Sequence, residues 1–458
     1  MYQIDFNNHV NIYFCGIGGI SMSGLAEILL DAGFNVSGSD RQQSELTDYL
    51  SKNGAGIFIG QCEENITKDV DVFVYTAAIH SDHPEYKKAS SLGIPMLTRA
   101  ELLGQMMRNY KLPIAISGTH GKTTVTSMIS DILLKSEKDP TLLVGGMLET
   151  IGGNYRIGHS DYFVTEACEY TNSFLSFFPK ASVILNIEED HLDFFKDLDD
   201  IRSSFHRFAK LSPDNGVVII NGEIENVDEI TKDIDSKVIT FGSDSRSDYY
   251  PSGIHFDGNG ISHFTLNSPN HEPEDFSLRV PGSHNIMNAV AAVALADFLC
   301  VDRRSTKKAL SEFKGSKRRF EFRGQVNGFT VVDDYAHHPS EIKATLTATK
   351  DYPHKKVWCI FQPHTYTRTK AFLDEFVEAL TLADATILTD IYAARETDTL
   401  GVSAKDISDK LTALGKESYY ISDFSEIEKF VLKNCSQNDL LITMGAGNVV
   451  NIADNLVK

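Results

Sequence analysis

The sequence is poor in cysteine and has too few basic residues to balance its acidic ones. Its six cysteines are scattered over 458 residues without a C-x-x-C spacing. This argues against a zinc site or a disulfide framework and favours buried thiols in a reducing cytoplasm. Lys and Arg number 43 against 63 Asp and Glu, so the formal net charge is −20. Because nucleic acids and membrane surfaces usually bind a basic face, we expect neither as a partner.

Long apolar runs are also missing from the sequence. No stretch approaches the roughly 20 apolar residues that a membrane-spanning helix needs. No basic segment followed by an apolar core stands at the start of the chain, so we expect no signal peptide. The hydrophobic content of 42% and charged content of 23% are typical of a soluble globular protein. The length predicts roughly two to four domains.

Apolar, strand-like runs alternate with helical segments in three successive units. Residues 1–108 are typical of a parallel α/β unit. A polar link that contains Pro113 introduces a second α/β unit over 109–315. Within it, Ser243–Asn270 is rich in Ser, Asp, Gly and Asn, which predicts short antiparallel strands. The last unit, over 316–458, again has the α/β pattern.

A glycine-punctuated loop follows the apolar run at the start of the second unit. Two glycines allow a tight turn whose backbone N–H groups converge on phosphate oxygens, and the helix that follows adds its positive end. The lysine would reach the β- and γ-phosphates, and the next threonine would bind Mg²⁺. The predicted nucleoside triphosphate loop consists of Gly118, Thr119, His120, Gly121, Lys122, Thr123 and Thr124.

This loop departs from the standard pattern, because Ile116 stands where G-x-x-x-x-G-K-[ST] has its first glycine. We therefore interpret it as a shortened form. The alternative is a glycine turn that carries a surface lysine.

A second glycine-rich turn, Gly16–Gly24, lies between the first strand and the first helix, and Asp40 ends the next strand. The pattern is similar to a dinucleotide fingerprint, except that Ser21 stands at the third glycine position. Three interpretations stay open: a nicotinamide cofactor site, a site for another nucleotide diphosphate, and a structural turn. The first two share a pyrophosphate at a helix N-terminus.

Two acidic stretches, Thr165–Tyr170 and Asn186–Asp193, follow predicted strands of the second unit. The carboxyl ends of parallel strands meet at one edge of a sheet, so both stretches should lie beside the phosphate loop. Carboxylate oxygens suit Mg²⁺, and imidazole is a softer ligand. The pattern favours a metal site over an acidic surface loop.

Further polar motifs follow in the second and third units. Asn side chains in Pro281–Ala289 could meet an adenine edge, or Ser283 could cap a helix. An arginine of Arg318–Glu321 could clamp a γ-phosphate or lie on an ordinary charged surface. Asp333–Glu341 and Phe361–Thr369 follow third-unit strands, where a small molecule belongs, although solvated loops remain an alternative.

In chain order, these motifs resemble the Mur ligase family of peptidoglycan synthesis. The resemblance spans nearly the whole chain. It rests on Gly16–Ala26, Gly118–Thr124, Glu166–Tyr170, Asn186–Asp193, His284–Asn288, Arg318–Glu321, Asp334–Glu341, Phe361–Thr369 and Met444–Gly447.

The resemblance implies an α/β protein with the three-domain Mur ligase architecture. A Rossmann-like domain over 1–108 would bind the UDP-sugar. A central P-loop ATPase-like domain over 109–315 would bind ATP and Mg²⁺, and a Rossmann-like domain over 316–458 would bind the amino acid. The motifs match the branch that joins L-alanine to the lactyl carboxylate of UDP-N-acetylmuramate in the cytoplasm, through an acyl phosphate.

The resemblance also assigns residues to roles. The metal ligands would be Thr123, Glu166 and His191. Adenine and the phosphates would be met by His284, Asn285, Asn288 and Arg319, in addition to the phosphate loop. The UDP-sugar would contact Gly16, Gly18, Gly19, Ile20, Ser21, Asp40 and Glu166. The amino acid would be framed by Tyr335, His337 and Arg368. The catalytic set would be Lys122, His191, Arg319, His337 and Arg368.

Two positions separate branches of the family. Several sister ligases carry a carbamylated lysine where this chain has Phe205, so the resemblance does not say how a second metal is held. A recycling branch, which joins a whole tripeptide to the same sugar, has Asp where this chain has Cys168. Outside the family, a nicotinamide-dependent dehydrogenase and a non-catalytic nucleotide sensor remain as alternatives.

Overall fold

The computed structural model describes residues 2–76, 78–192, 194–257, 260–394 and 396–458. The described residues form four β-sheets. They divide into two compact units. The first comprises Met1–Thr240 with Ala294–Asp302, and the second comprises Phe241–Val293 with Arg303–Lys458.

The first sheet is parallel, with the strand order β3-β2-β1-β4-β5. Its strands are β1 (Asn11–Cys15), β2 (Asn35–Asp40), β3 (Gly56–Ile59), β4 (Val72–Tyr75) and β5 (Met96–Thr98). Its helices are α1 (Ile20–Asp31), α2 (Glu45–Lys52), α3 (Pro84–Ser91) and α4 (Arg99–Met107). The central strand β1 is almost entirely buried, as expected where helices cover both faces of a parallel sheet.

The second sheet has the order β12-β11-β10-β6-β9-β7-β8, with an antiparallel pair at the β7–β8 edge. Its strands are β6 (Leu112–Ser117), β7 (Thr141–Leu148), β8 (Gly153–Arg156), β9 (Tyr162–Glu166), β10 (Ala181–Ile184), β11 (Val217–Asn221) and β12 (Lys237–Phe241). Its helices are α5 (Lys122–Lys135), α6 (Leu198–Ala209) and α7 (Val227–Ile230). Because β6, β9 and β10 are parallel neighbours, the segments after them meet at one edge.

A three-stranded antiparallel sheet follows, which confirms the short antiparallel strands predicted from composition. It consists of β13 (Tyr250–Phe256), β14 (Ser262–Ser268) and β15 (His271–Leu278). The helices after it are α8 (Ser283–Phe298) and α9 (Arg303–Glu312).

The last sheet has the order β16-β17-β21-β18-β19-β20, and it is parallel except for the β16–β17 pair. Its strands are β16 (Glu321–Val326), β17 (Phe329–Asp334), β18 (Val357–Phe361), β19 (Ala385–Leu388), β20 (Glu417–Tyr420) and β21 (Leu440–Met444). Its helices are α10 (Pro339–Ala348), α11 (Tyr366–Ala371), α12 (Leu373–Leu380), α13 (Ala404–Ala413), α14 (Phe424–Asn434) and α15 (Val450–Leu456).

These sheets place the predicted functional segments after the carboxyl ends of parallel strands. The phosphate loop follows β6, Glu166 ends β9, and Asp334 ends β17. Among the helices of the described residues, none is both long and apolar enough to cross a membrane.

Candidate active site

The phosphate loop turns from β6 into α5 through two glycines with positive φ. Gly118 has φ +142°, and Gly121 has φ +83° and caps α5. A Cβ atom on Gly118 would lie 2.9 Å from Cβ of Leu185, so no larger residue fits without displacing the neighbouring strand end. The prediction of a tight, glycine-dependent turn is confirmed.

Lys122 folds back over this loop. Its Nζ donates hydrogen bonds to the carbonyl oxygens of Gly118 and Thr119, and lies 3.1 Å from Oε2 of Glu169. Burial acts to lower the pKa of Lys122, but the Glu169 carboxylate outweighs it and raises the pKa to about 12. The ammonium group is therefore charged and held at the mouth of the loop.

The loop is braced by the segment that follows β10. The backbone N–H of Thr119 donates to the carbonyl oxygen of Asn186, and the N–H of His120 donates to its side-chain oxygen at 2.7 Å. Glu188 donates its N–H to Oγ1 of Thr119, and its carboxylate lies 3.2 Å from Nε2 of His120. The structure therefore joins the loop to the second acidic stretch, as the parallel sheet predicted.

Glu166 and Thr123 flank two consecutive glycines of β7. The N–H of Gly145 donates to Oε1 of Glu166 at 2.6 Å, and a Cβ on Gly145 would lie 2.5 Å from Oε2. A Cβ on Gly146 would lie 3.1 Å from Cγ2 of Thr123. Gly145 leaves room for the Glu166 carboxylate, and Thr123 beside Gly146 carries a hydroxyl group. Both are oxygen ligands of the kind that Mg²⁺ prefers, so the residues present fit that ion.

His191 lies in the segment after β10 and has a left-handed backbone, with φ +54°. Its ring stacks on Tyr170 with 4.5 Å between centroids, and its N–H donates to Oδ1 of Asp190. The two acidic stretches therefore meet here through an aromatic contact. Asp193 of the same motif lies outside the described residues.

Phe205 is fully buried in α6 and packs edge-on against Phe174. The position is thus part of the hydrophobic core and offers no oxygen ligand to a metal.

The N-terminal glycine turn is shaped by Asp40. The N–H of Gly16 donates to the carbonyl oxygen of Ser39, and the N–H of Gly18 donates to Oδ2 of Asp40 at 2.9 Å. The other carboxylate oxygen accepts from the N–H of Arg41. In this structure Asp40 therefore orders the glycine turn through Oδ2. Its predicted contact with substrate stays a prediction.

After this turn, Gly19 caps α1 and Ile20 begins the helix. Ile20 is 66% exposed, so this end of the helix is open to solvent. Ser21 accepts a hydrogen bond from Nη1 of Arg99 at 2.9 Å. Arg99 thus brings a cation to the helix start.

The first turns of α8 bring the predicted adenine-binding residues together. Asn285 is buried, donates to the carbonyl oxygen of Pro281 and accepts from Asn288 at 3.2 Å. His284 lines a cavity of about 240 Å³ that is also bounded by α10. The surrounding protein and the Arg319 guanidinium lower the pKa of His284 to about 4, although its ring faces the open cavity.

The two adjacent arginines before β16 have different surroundings. Arg318 donates to the Asp333 carboxylate and to the carbonyl oxygens of Gly445 and Gly447, so it is tied into the fold. Arg319 lies 3.7 Å from Oε1 of Glu341 and is 27% exposed. Arg319, the predicted phosphate contact, is therefore less firmly tied into the fold than Arg318.

The predicted amino-acid site is a row of rings after β17 and β18. Tyr335 and His337 have ring centroids 5.4 Å apart, and His337 and His364 are 5.9 Å apart. Nη1 of Arg368 lies 3.4 Å from Nδ1 of His364. The structure therefore brings Tyr335, His337 and Arg368 together, with His364 as an intermediary that the sequence analysis did not single out.

Three family models match successive parts of the chain. The model described as the Mur ligase family catalytic domain matches residues 11–111, the Mur ligase middle domain matches 116–296, and the Mur ligase glutamate ligase domain matches 318–447. The chain belongs to the Mur ligase family. The predicted three-domain Mur ligase architecture is thereby confirmed, and a ligase family decides against the dehydrogenase alternative.

Other Mur ligases resemble the chain over its full length. UDP-N-acetylmuramate--L-alanine ligase from Agathobacter rectalis is 55% identical over 458 residues, which is 100% of both chains. The solved UDP-N-acetylmuramate-alanine ligase from Thermotoga maritima is 31% identical, with a TM-score of 0.80 and 98% of each chain covered. A murein peptide ligase from Psychrobacter arcticus is 25% identical, with a TM-score of 0.69 and 98% of each chain covered.

Besides His364, the sequence did not single out four further residues at the predicted sites: Arg99, Gly145, Gly146 and Glu169. A buried lysine needs a carboxylate, which pointed to Glu169 within an already chosen motif. A double glycine inside a strand signals a close approach of another group. Arg99 carried no local signal, because its partner Ser21 is distant in sequence.

Proposed function

We propose that the chain is an ATP-dependent ligase that joins L-alanine to the lactyl carboxylate of UDP-N-acetylmuramate in peptidoglycan precursor synthesis. The observation that carries this proposal is the full-length, 55% identical match to an enzyme of that name. The geometry agrees, because the charged lysine of the phosphate loop lies 3.1 Å from Glu169, and Glu166 ends the neighbouring strand β9. The recycling branch, which takes a tripeptide, is less well supported, because the murein peptide ligase is only 25% identical.

The reaction consists of two displacements. An oxygen of the lactyl carboxylate attacks the γ-phosphorus of ATP, the bond from that phosphorus to the bridging oxygen breaks, and ADP leaves. The amine of L-alanine then attacks the acyl carbon, loses a proton, and expels phosphate. A carboxylate and a triphosphate repel each other, so positive groups must lower this barrier. Lys122 supplies one such charge from the loop, and Arg319 supplies another.

Mg²⁺ belongs to the proposal as the partner of ATP. Thr123 and Glu166 would hold it with oxygen atoms on either side of the glycine pair, and His191 is the third candidate ligand. When bound, the ion would neutralise charge on the β- and γ-phosphates. Gly145 keeps the Glu166 carboxylate oriented for this role through its N–H group.

The remaining residues position the three substrates. The N-terminal turn would hold the UDP portion at the start of α1. Asn288, supported by Asn285, would meet adenine beside the cavity lined by His284. Arg368 would bind the carboxylate of L-alanine with two hydrogen bonds, while Tyr335 and His337 flank the amine. His337 would also move a proton.

We further propose domain boundaries at 108/109 and 315/316, with one substrate assigned to each domain. The cytoplasm is the proposed location, since all six cysteines are free thiols. The expectation that these thiols are buried is wrong for Cys62 and Cys300, which are exposed.

Phosphate release tests the function directly. We expect release only when ATP, UDP-N-acetylmuramate and L-alanine are all present, with each omitted in turn as a control. Release with the tripeptide but not with L-alanine would assign the recycling reaction instead. ATP binding without any turnover would support the nucleotide sensor.

A further inference from the structure

Glu341 lies at the start of α10, between two residues that the proposed function assigns to different substrates. Its Oε1 is 3.7 Å from Nη1 of Arg319, the phosphate contact. Its Oε2 is 3.2 Å from Nδ1 of His337, which flanks the amino acid. The carboxylate is only 11% exposed, so its attraction for the Arg319 guanidinium is little screened by solvent.

The contacts close into a ring of four side chains. Arg319 lies over the ring of Tyr335, with 5.2 Å from its guanidinium carbon to the centroid. Tyr335 in turn contacts His337 at 5.4 Å between centroids. Glu341 joins His337 back to Arg319. A displacement of any one member therefore changes the surroundings of the other three.

Glu341 also has an ordinary structural role, because it occupies the third position of a capping box. His338 is the N-cap of α10, and its N–H donates to Oε2 of Glu341 at 3.3 Å. The N–H of His337 donates to the same oxygen at 3.0 Å. A capping box requires only that one carboxylate oxygen of the third residue accepts a hydrogen bond from the backbone N–H of the N-cap residue. The contacts with Arg319 and Nδ1 of His337 exceed that need.

Helix α13 shows what a capping box looks like without a second task. Asp406 occupies the same third position, and its Oδ2 accepts from the N–H of Ser403 at 2.9 Å. Among the described residues, Asp406 forms no ion pair. A capping box therefore forms without an ion pair at Asp406, so the contacts of Glu341 with Arg319 and His337 are additional to helix capping.

We infer that Glu341 is a positioning residue that holds Arg319 and His337 in one arrangement, so that the nucleotide and L-alanine sites depend on a single carboxylate. This inference rests on the proposed function, since that function assigns the two sites. Its consequence is energetic coupling: loss of the negative charge weakens both sites together, while the UDP-sugar site is unaffected.

The test is Glu341→Gln, because glutamine is accepted at the third position of a capping box and retains an oxygen acceptor. We expect the KM for L-alanine and the Kd of a non-hydrolysable ATP analogue each to rise about fivefold or more. The KM for UDP-N-acetylmuramate should stay unchanged. Asp406→Asn, the matched capping-box change, should leave all three values unchanged.

A purely structural role predicts a different pattern. It would lower kcat through a smaller active fraction and leave the KM and Kd values unchanged, which would overturn the inference. A rise confined to one of the two substrates would also overturn it, because one carboxylate would then serve one site.

A second variant, Arg319→Lys, tests the same inference if Glu341→Gln folds poorly. Arg319→Lys leaves the capping box intact, and coupling predicts that it raises the KM for L-alanine as well as the Kd of the ATP analogue. An unchanged KM for L-alanine would contradict the inference. Wild-type protein that releases no phosphate with L-alanine would refute the proposed function separately, and the Kd comparison would still test the link from Glu341 to Arg319.

Discussion

Nζ of Lys122 lies 3.1 Å from Oε2 of Glu169, and the two side chains are 17% and 3% exposed. This ion pair keeps the lysine charged and directed along the phosphate loop. A phosphate group that enters the loop meets a cation whose position is already set. Such preorganisation lowers the reorganisation needed in the transition state.

Replacement of Lys122 should separate ATP chemistry from sugar binding. We expect Lys122→Ala to abolish acyl-phosphate formation, because the principal cation of the loop is lost. It also leaves the Glu169 carboxylate buried without its partner, which costs about 3–5 kcal/mol of stability. Phosphate release and calorimetric binding of UDP-N-acetylmuramate measure the two effects, and sugar binding should persist.

Lys111→Ala is the matched control for that change. Lys111 pairs with Asp161 at the same 3.1 Å, but it is 81% exposed, so its loss should alter neither activity nor stability appreciably. Loss of both sugar binding and acyl-phosphate formation in Lys122→Ala would mean that the domain assignment is wrong.

Gly145→Ala should damage the proposed Mg²⁺ site with little effect on folding. The new Cβ would lie 2.5 Å from Oε2 of Glu166, and the flexible end of that side chain would turn away. We expect activity to fall about tenfold or more, equivalent to about 1.4 kcal/mol in the barrier. The Mg²⁺ concentration for half-maximal activity should rise.

Gly153→Ala is the control for this change, because its Cβ would meet its nearest neighbour at 3.7 Å, and it should behave like wild type. Unchanged Mg²⁺ dependence in Gly145→Ala would remove Glu166 from the proposed ligands.

Asp334 should make stability depend on pH. Burial raises the pKa of this carboxyl to about 6, against which Arg319 and two backbone N–H groups act. The folded state therefore holds a proton that the unfolded state has already lost between pH about 4 and 6. Its contribution to stability is present below pH about 4 and is lost as the pH rises through 6, by about 1.4 kcal/mol per unit.

Urea unfolding of wild type and Asp334→Asn across pH 4 to 7 measures this effect. We expect the difference in unfolding free energy between the two proteins to change between pH about 4 and 6 and to level off above. A difference that is constant over this range would show that Asp334 does not titrate there.

Arg368→Lys should weaken L-alanine binding selectively. Lysine keeps the charge but cannot offer two parallel donors to a carboxylate. The lost charge-assisted bond corresponds to a rise in the KM for L-alanine of roughly tenfold or more. The KM for ATP should not change.

Lys370→Ala is the control for this change, because Lys370 is exposed on the same helix. A larger change in the KM for ATP than for L-alanine would assign Arg368 to the nucleotide.

Local sequence pattern accounts for several of the strands and turns of this protein. The strand Val357–Phe361 coincides with an uninterrupted apolar run of the sequence. The phosphate loop turns through Gly118 and Gly121, and both have the positive φ that favours glycine. Two short strands at the edges of the first sheet, β3 and β5, were not predicted. They are short, and their pairing with β2 and β4 rather than their own pattern stabilises them.

The sequence by itself determined the α/β class, the three-domain family architecture and the glycine-dependent turn of the phosphate loop, because these depend on residue type and near neighbours. Only the tertiary structure decided which partner each charged group meets. It pairs Lys122 with Glu169, ties Arg318 into the fold and leaves Arg319 to Glu341. The physical reason is that ion pairs act through space, and sheet pairing brings together residues that no local pattern connects.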